Sequence, residues 1–89
     1  MKNFWHTYAI PSVVHPGKMD KDHFYKLIEI SGIHSQKIIH ALEDYCVNGN
    51  DRKDACAKHN VSQGYFSICL KRFQLLNKSV IELLPHYMK

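Results

Sequence analysis

The sequence predicts an all-α fold, a small bundle of four to five helices containing a helix-turn-helix. Three observations predict it. Apolar residues recur at the three- and four-residue spacing of amphipathic helices. A capping residue stands ahead of each such run. No period-two apolar alternation is long enough to make a strand. The 89 residues suffice for one domain with a small core.

Residues 1–18 read as an N-terminal arm, with Phe4, Trp5 and Tyr8, then Pro11 and a Pro16-Gly17 turn. The arm packs either on the body or on a second subunit. Residues 19–89 read as the helix-turn-helix domain. Its first helix starts at Asp20 or Asp22, carries Phe24, Leu27, Ile28 and Ile30 as its stripe, and ends at Gly32. Ser35 caps a second helix with Ile38, Ile39, Leu42, Tyr45 and Cys46 inward. His40, Glu43 and Asp44 are expected toward solvent. Asn48-Gly49-Asn50 stops it.

Asp51 caps a short third helix ending near His59, and Asp54 lies in its first turn, where the helix dipole favours a carboxylate. Ser62 caps a fourth helix. Asn77 is expected to interrupt it, with Ser79 and Glu82 spaced as a capping box for a last helix over 80–84, limited by Pro85. A continuous helix through Asn77 is the alternative.

Charge is unevenly placed. Up to Asp51, five cations face six anions; from Arg52 onward, seven cations face two anions. A basic half beside a neutral one suits a polyanion partner, or else is a solvated basic surface. Cys46, Cys56 and Cys69 are an odd, widely spaced set on helix faces, which suits buried thiols in a reducing compartment. No signal peptide is visible, and the expected location is cytoplasmic. Seven histidines raise the question of metal, yet no Cys-x-x-Cys pair or recurring ligand pair supports a site. Nothing marks an activated nucleophile or a phosphate-cradling glycine loop, so no enzyme activity and no cofactor are expected.

The informative stretch runs from Asp51 to about Leu76. Small residues Ala55, Cys56 and Ala57 let a second helix cross the first. Asn60 tolerates positive φ in the turn, Val61 plugs it, and Ser62 caps the next helix. Phe66, Cys69 and Leu70 follow four, seven and eight residues after that cap, and Phe73 extends the stripe. With that side inward, the other side presents Ser62, Gln63, Gly64, Ser67, Ile68 and Lys71. Such a helix places its first turns in the major groove. Gln63 suits adenine edges, Ser67 either partner type, and Ile68 a thymine methyl. Gly64 lets backbone approach DNA. Lys71, Arg72, Arg52, Lys53 and the amides at Ser62 suit phosphates. Tyr65 either bonds a phosphate or stays between helices. Taken singly, each of these polar residues is as readily a solvated surface side chain. The rival reading is a protein-interaction module with a basic surface and no DNA role, based on the aromatic arm and the apolar tail Leu83, Leu84, Tyr87 and Met88.

The run from Pro16 to Asn77 also resembles the PapB-type fimbrial adhesin biosynthesis regulators. The resemblance is carried by Pro16-Gly17, His23-Phe24, Leu27-Ile28, Ile33-His34-Ser35, Asp44-Tyr45, Arg52-Lys53, Cys56, Gly64-Tyr65-Phe66-Ser67 and Leu76-Asn77. It implies a transcriptional regulator of a fimbrial operon that binds A/T-rich double-stranded DNA as an oligomer at repeated sites. It also implies minor-groove recognition, whereas helix geometry points to the major groove. Both stay open here.

Overall fold

The structure is a computed structural model that describes residues 14–88. Phe4, Trp5 and Tyr8 of the arm lie outside the described residues. Four helices follow one another: α1 (Lys21–Ser31), α2 (Gln36–Cys46), α3 (Arg52–His59) and α4 (Gln63–Tyr87). No strand occurs among the described residues.

Each helix begins where its cap predicts. Asp20 accepts from the amides of Asp22 and His23 ahead of α1, and Ser35 from Ile38 ahead of α2. Gly32 ends α1 at φ 76°, a conformation that costs a side-chain-bearing residue free energy. After α2 the chain turns through Gly49 and passes against the turn at Gly17. A Cβ on Gly17 would stand 3.1 Å from the Gly49 Cα, and Gly49 itself turns at φ 84°, a conformation that favours glycine. Gly17 N donates to Tyr45 O and Met19 N to Cys46 O, both at 3.0 Å, which ties residues 17–19 to the end of α2. Val14, just before them, is buried in the core.

α2 and α4 each pack against all the other helices, and α1 and α3 hardly meet. Between them lie Phe24, Leu27, Ile38, Leu42, Cys46, Phe66, Leu70 and Phe73, all buried. The rings of Phe24 and Phe73 sit 5.3 Å apart, and Tyr45 meets Phe66 edge-on at 5.7 Å. The three cysteines are buried free thiols, and burial pushes Cys46 up to about 12. Tyr25 of α1 donates to Glu43 of α2; that hydrogen bond, then burial and the Glu43 charge, hold its phenol up at about 12.

Three expectations are corrected. Ile30 is 63% exposed, because it stands about a third of a turn away from the Leu27–Ile28 stripe. Asp44 is 7% exposed rather than solvated, because α3 packs beside it. Helix α4 does not break at Asn77 but runs 25 residues to Tyr87. Asn77 is buried on the stripe that follows Phe66, Leu70 and Phe73, so its side chain is not placed to cap. Pro85 lacks the N–H that would donate to Ile81 O, and the helix continues two residues past it. Met88 N still donates to Leu84 O at 3.1 Å.

Candidate nucleic-acid interface

The candidate interface is built by α3, the turn after it, and the first turns of α4. Asp51 accepts from Asp54 N at 2.8 Å and so fixes the start of α3 at Arg52. Ala55 and Cys56 are buried where α3 meets the body, the close approach that small side chains allow. Asn60 ends α3 in the left-handed conformation at φ 56°. Val61 N donates to Cys56 O at 2.9 Å and Asn60 N to Ala57 O at 3.3 Å, the paired bonds of a Schellman ending. Val61 packs on the core, as its place under the turn requires. The chain leaves that turn extended at Ser62, whose hydroxyl accepts from Tyr65 N at 3.2 Å.

Because that cap satisfies the amide of Tyr65, the amides of Gln63 and Gly64 are left without intrahelical partners at an exposed helix start. Such amides, with the positive end of the helix dipole, attract anions. The register of α4 is then decided by its inner side. Phe66 and Phe73 are 0% exposed, and Cys69 and Leu70 are buried with them. Gln63, Gly64, Tyr65, Ile68, Lys71 and Arg72 are exposed, Ile68 at 61%. Arg52, Lys53 and Ser62 are exposed as well, and Ser67 is half-buried.

These ten residues do not form a single row. Gln63, Ser67 and Lys71 recur every fourth residue along the flank of α4 beside α3. Gly64 and Ile68 line the crest. Tyr65 and Arg72, seven apart, share the far flank, with Tyr65 about 160° around the helix from Ser67 at 3.6 residues per turn. Arg52 joins the near row: its Nη1 donates to Ser67 Oγ at 3.1 Å. No spacing rule announced that pairing, since fifteen residues and a turn separate the two.

A second feature behind the interface also escaped sequence reasoning. Asp44 of α2 accepts from His59 Nε2 at 2.6 Å and from Asn48 Nδ2 at 2.9 Å, and Lys58 Nζ lies 3.7 Å away. Burial alone would push this carboxyl up. The hydrogen bonds from His59 and Asn48 and the Lys58 charge outweigh it and hold the carboxyl below its ordinary value. The cluster clamps the end of α3 to α2, so α3 presents α4 from a fixed platform. Its only advance signal was the four-residue spacing of Asp44, in the last turn of α2, and Asn48, just past its end.

The chain matches the family described as adhesin biosynthesis transcription regulatory protein, PapB, over residues 3–87. The chain belongs to the PapB family. It is 49% identical over 71 residues to the AFA-III adhesin operon regulatory protein of Escherichia coli, covering 80% of this chain and 70% of that protein. It is 46% identical over 76 residues to the operon regulatory protein PapB of Escherichia coli, covering 85% and 73%. The crystal structure of E. coli FocB superposes with a TM-score of 0.82 at 44% identity, covering 86% of this chain and 88% of that one. PapB-family membership makes this chain a transcription regulator and not an enzyme. The matched span includes all four helices, so the α3–α4 unit lies wholly inside the PapB-family region. No helix among the described residues is long and apolar enough to cross a membrane.

Proposed function

We propose that this chain is a sequence-selective DNA-binding regulator of a fimbrial adhesin operon. It acts as an oligomer on A/T-rich sites through the helix-turn-helix spanning Asp51 to about Leu76. One observation carries the reading: Phe66, Cys69, Leu70 and Phe73 seal one side of α4 into the core, and the opposite side is open. An α-helix with a free outer flank and exposed N-terminal amides fits the major groove. Gln63 pairs with an adenine edge, and Ile68 touches a thymine methyl. Gly64 lets the backbone come close, and Tyr65 bonds a phosphate on the far flank. Lys53, Lys71, Arg72 and the amides after Ser62 hold phosphates, and Arg52 and Ser67 meet the near edge.

The test is affinity for a duplex from the promoter beside its gene, measured against salt. Phosphate contacts predict a steep linear fall of log K with log salt. Lys53→Ala should make the slope shallower by about one on every duplex. Gln63→Ala should cost about 1–3 kcal/mol on the favoured site and little on random DNA. Equal losses on both would reduce Gln63 to a positioning residue. Protection of guanine N7 by the bound protein supports the major groove; displacement by a minor-groove ligand alone opposes it. A flat salt response with no duplex affinity would favour the interaction-module reading, for which Leu83, Tyr87 and Met88, all exposed, supply a surface.

A further inference from the structure

We propose that two copies of this chain pair antiparallel through the free end of α4, with Tyr87 of each donating its hydroxyl hydrogen to the buried Asn77 Oδ1 of the other. This rests on the oligomeric reading above and locates its contact. Two unfinished groups on one stripe carry the argument. Asn77 is 4% exposed, and its Oδ1 is buried with no donor among the described residues. A buried acceptor left unmatched costs free energy that a donor from a second molecule recovers. Tyr87, ten residues on, holds a large ring and a hydroxyl in solvent, a side chain that ordinarily buries its body and bonds its tip. Val80 and Leu84 stand between them on the same stripe, half-buried. Leu76, Ile81, Leu83 and Met88 border that stripe, while Lys78, Ser79, Glu82 and His86 fall on the other side at 3.6 residues per turn. The buried residues of α4 stop at Asn77, yet the helix runs on to Tyr87. An end of about three turns with so wide an apolar face is marginal alone in water and suits a second helix.

Direction follows from the body. α1 and α2 already cover this side of α4 as far as Asn77. A second α4 running the same way would bring its own body onto the same ground. One running the other way enters from the free end and leaves the two bodies apart. Register follows from the stripe. From Asn77 the steps are three, four and three, to Val80, Leu84 and Tyr87. That order is the same read backwards, so two antiparallel tails match layer for layer. Asn77 meets Tyr87, Val80 meets Leu84, and the same pairs recur across the two-fold axis. Packed helices lie about 8–10 Å apart, within reach of a tyrosine tip directed at the facing residue. A lone polar residue in an apolar seam also fixes the register, because slippage strands it against an apolar side chain. Four layers over about 15 Å make a short seam, which sets a weak, reversible dimer rather than an obligate one. The two α3–α4 units then lie at opposite ends of the pair, as contact with separate sites requires.

The experiment uses the full chain in two arms, with thermal melting to check that every variant is folded. In the first, sedimentation over a range of concentrations compares the unaltered chain with Tyr87→Phe, Asn77→Leu and the Asn77→Leu/Tyr87→Phe double variant. Tyr87→Phe removes two symmetry-related hydrogen bonds and should weaken the dimer by about tenfold or more. The same change in the Asn77→Leu background should have little effect, since the acceptor is already gone. In the second arm, Val80→Cys and Leu84→Cys chains are oxidised separately and mixed, with the unaltered chain, whose three thiols are buried, as the background. The mixture should give a covalent dimer and neither variant alone should, because antiparallel layers bring position 80 only to position 84. Covalent dimers from each variant alone would mean a parallel pair and overturn the proposal. An equal loss from Tyr87→Phe with and without Asn77 would overturn the hydrogen bond on which it turns. A dimer that responds to none of these changes would overturn the seam and leave the oligomeric reading intact. A chain that stays monomeric at every concentration, and also on promoter duplex, would overturn that reading and the seam together.

Discussion

Gly64 occupies the second residue of α4, and a Cβ built there meets nothing within 4 Å. Its backbone is helical without positive φ, so neither strain nor packing explains a glycine. Gly64→Ala should therefore stabilise the fold by about 0.5–1 kcal/mol, through the entropy that glycine loses in a helix. In the proposed complex the same methyl would stand where DNA backbone approaches. Duplex affinity should fall while the melting temperature rises, and affinity that rises with stability would contradict close approach. Asp44 supports the opposite kind of test. Its carboxyl is more acidic in the folded chain than its ordinary value of 3.8. A lowered folded pKa contributes stability that is complete above the unfolded value and is lost as pH falls through the folded one. Acid unfolding below about pH 4 should thus be less steep in Asp44→Asn, which also leaves His59 and Lys58 without their anion and costs about 1–3 kcal/mol near neutrality. An unchanged acid limb in that variant would mean the clamp carries no linkage.

Helix α4 shows how far periodicity reads and where it stops. Phe66, Leu70, Phe73, Asn77, Val80, Leu84 and Tyr87 recur at alternating steps of four and three along one side. The first four are buried, Asn77 among them, and the stripe becomes progressively exposed toward Tyr87 at 80%. Reading Asn77 and Ser79 as a break gave local cap chemistry priority over this longer pattern, and the packing of α1 and α2 against α4 overrode it. Caps elsewhere were legible because an Asp or Ser side chain bonds an amide two or three residues away, which needs no tertiary partner. Asn60 was legible for the same reason. The Arg52–Ser67 bond and the Asp44–His59 clamp were not, since each joins helices whose crossing no local spacing specifies. The register of α4 is testable directly. Phe66→Ala should cost roughly 3–5 kcal/mol of folding stability, as befits a fully buried ring. A loss under 1 kcal/mol would place that ring outside the core.

The molecule as a whole couples a small body to a long helix whose end carries Leu83, Tyr87 and Met88 in solvent. Apolar groups so placed suit contact between copies, which the proposed oligomeric binding would need. Leu83→Ser with Tyr87→Ser should reduce the assembly size in sedimentation and leave the melting temperature within the small range of surface substitutions. Persistence of the same oligomer would move the contact elsewhere. The basic half of the chain, from Arg52 onward, holds both this tail and the helix-turn-helix, so polyanion contact and assembly are drawn from one end of the sequence. A backbone amide NMR titration with promoter duplex separates the two surfaces in one spectrum. Shifts should concentrate at Arg52, Lys53 and residues 62–72 and saturate there first, whereas shifts confined to residues 80–88, with 62–72 unmoved, would contradict DNA recognition by the outer flank of α4.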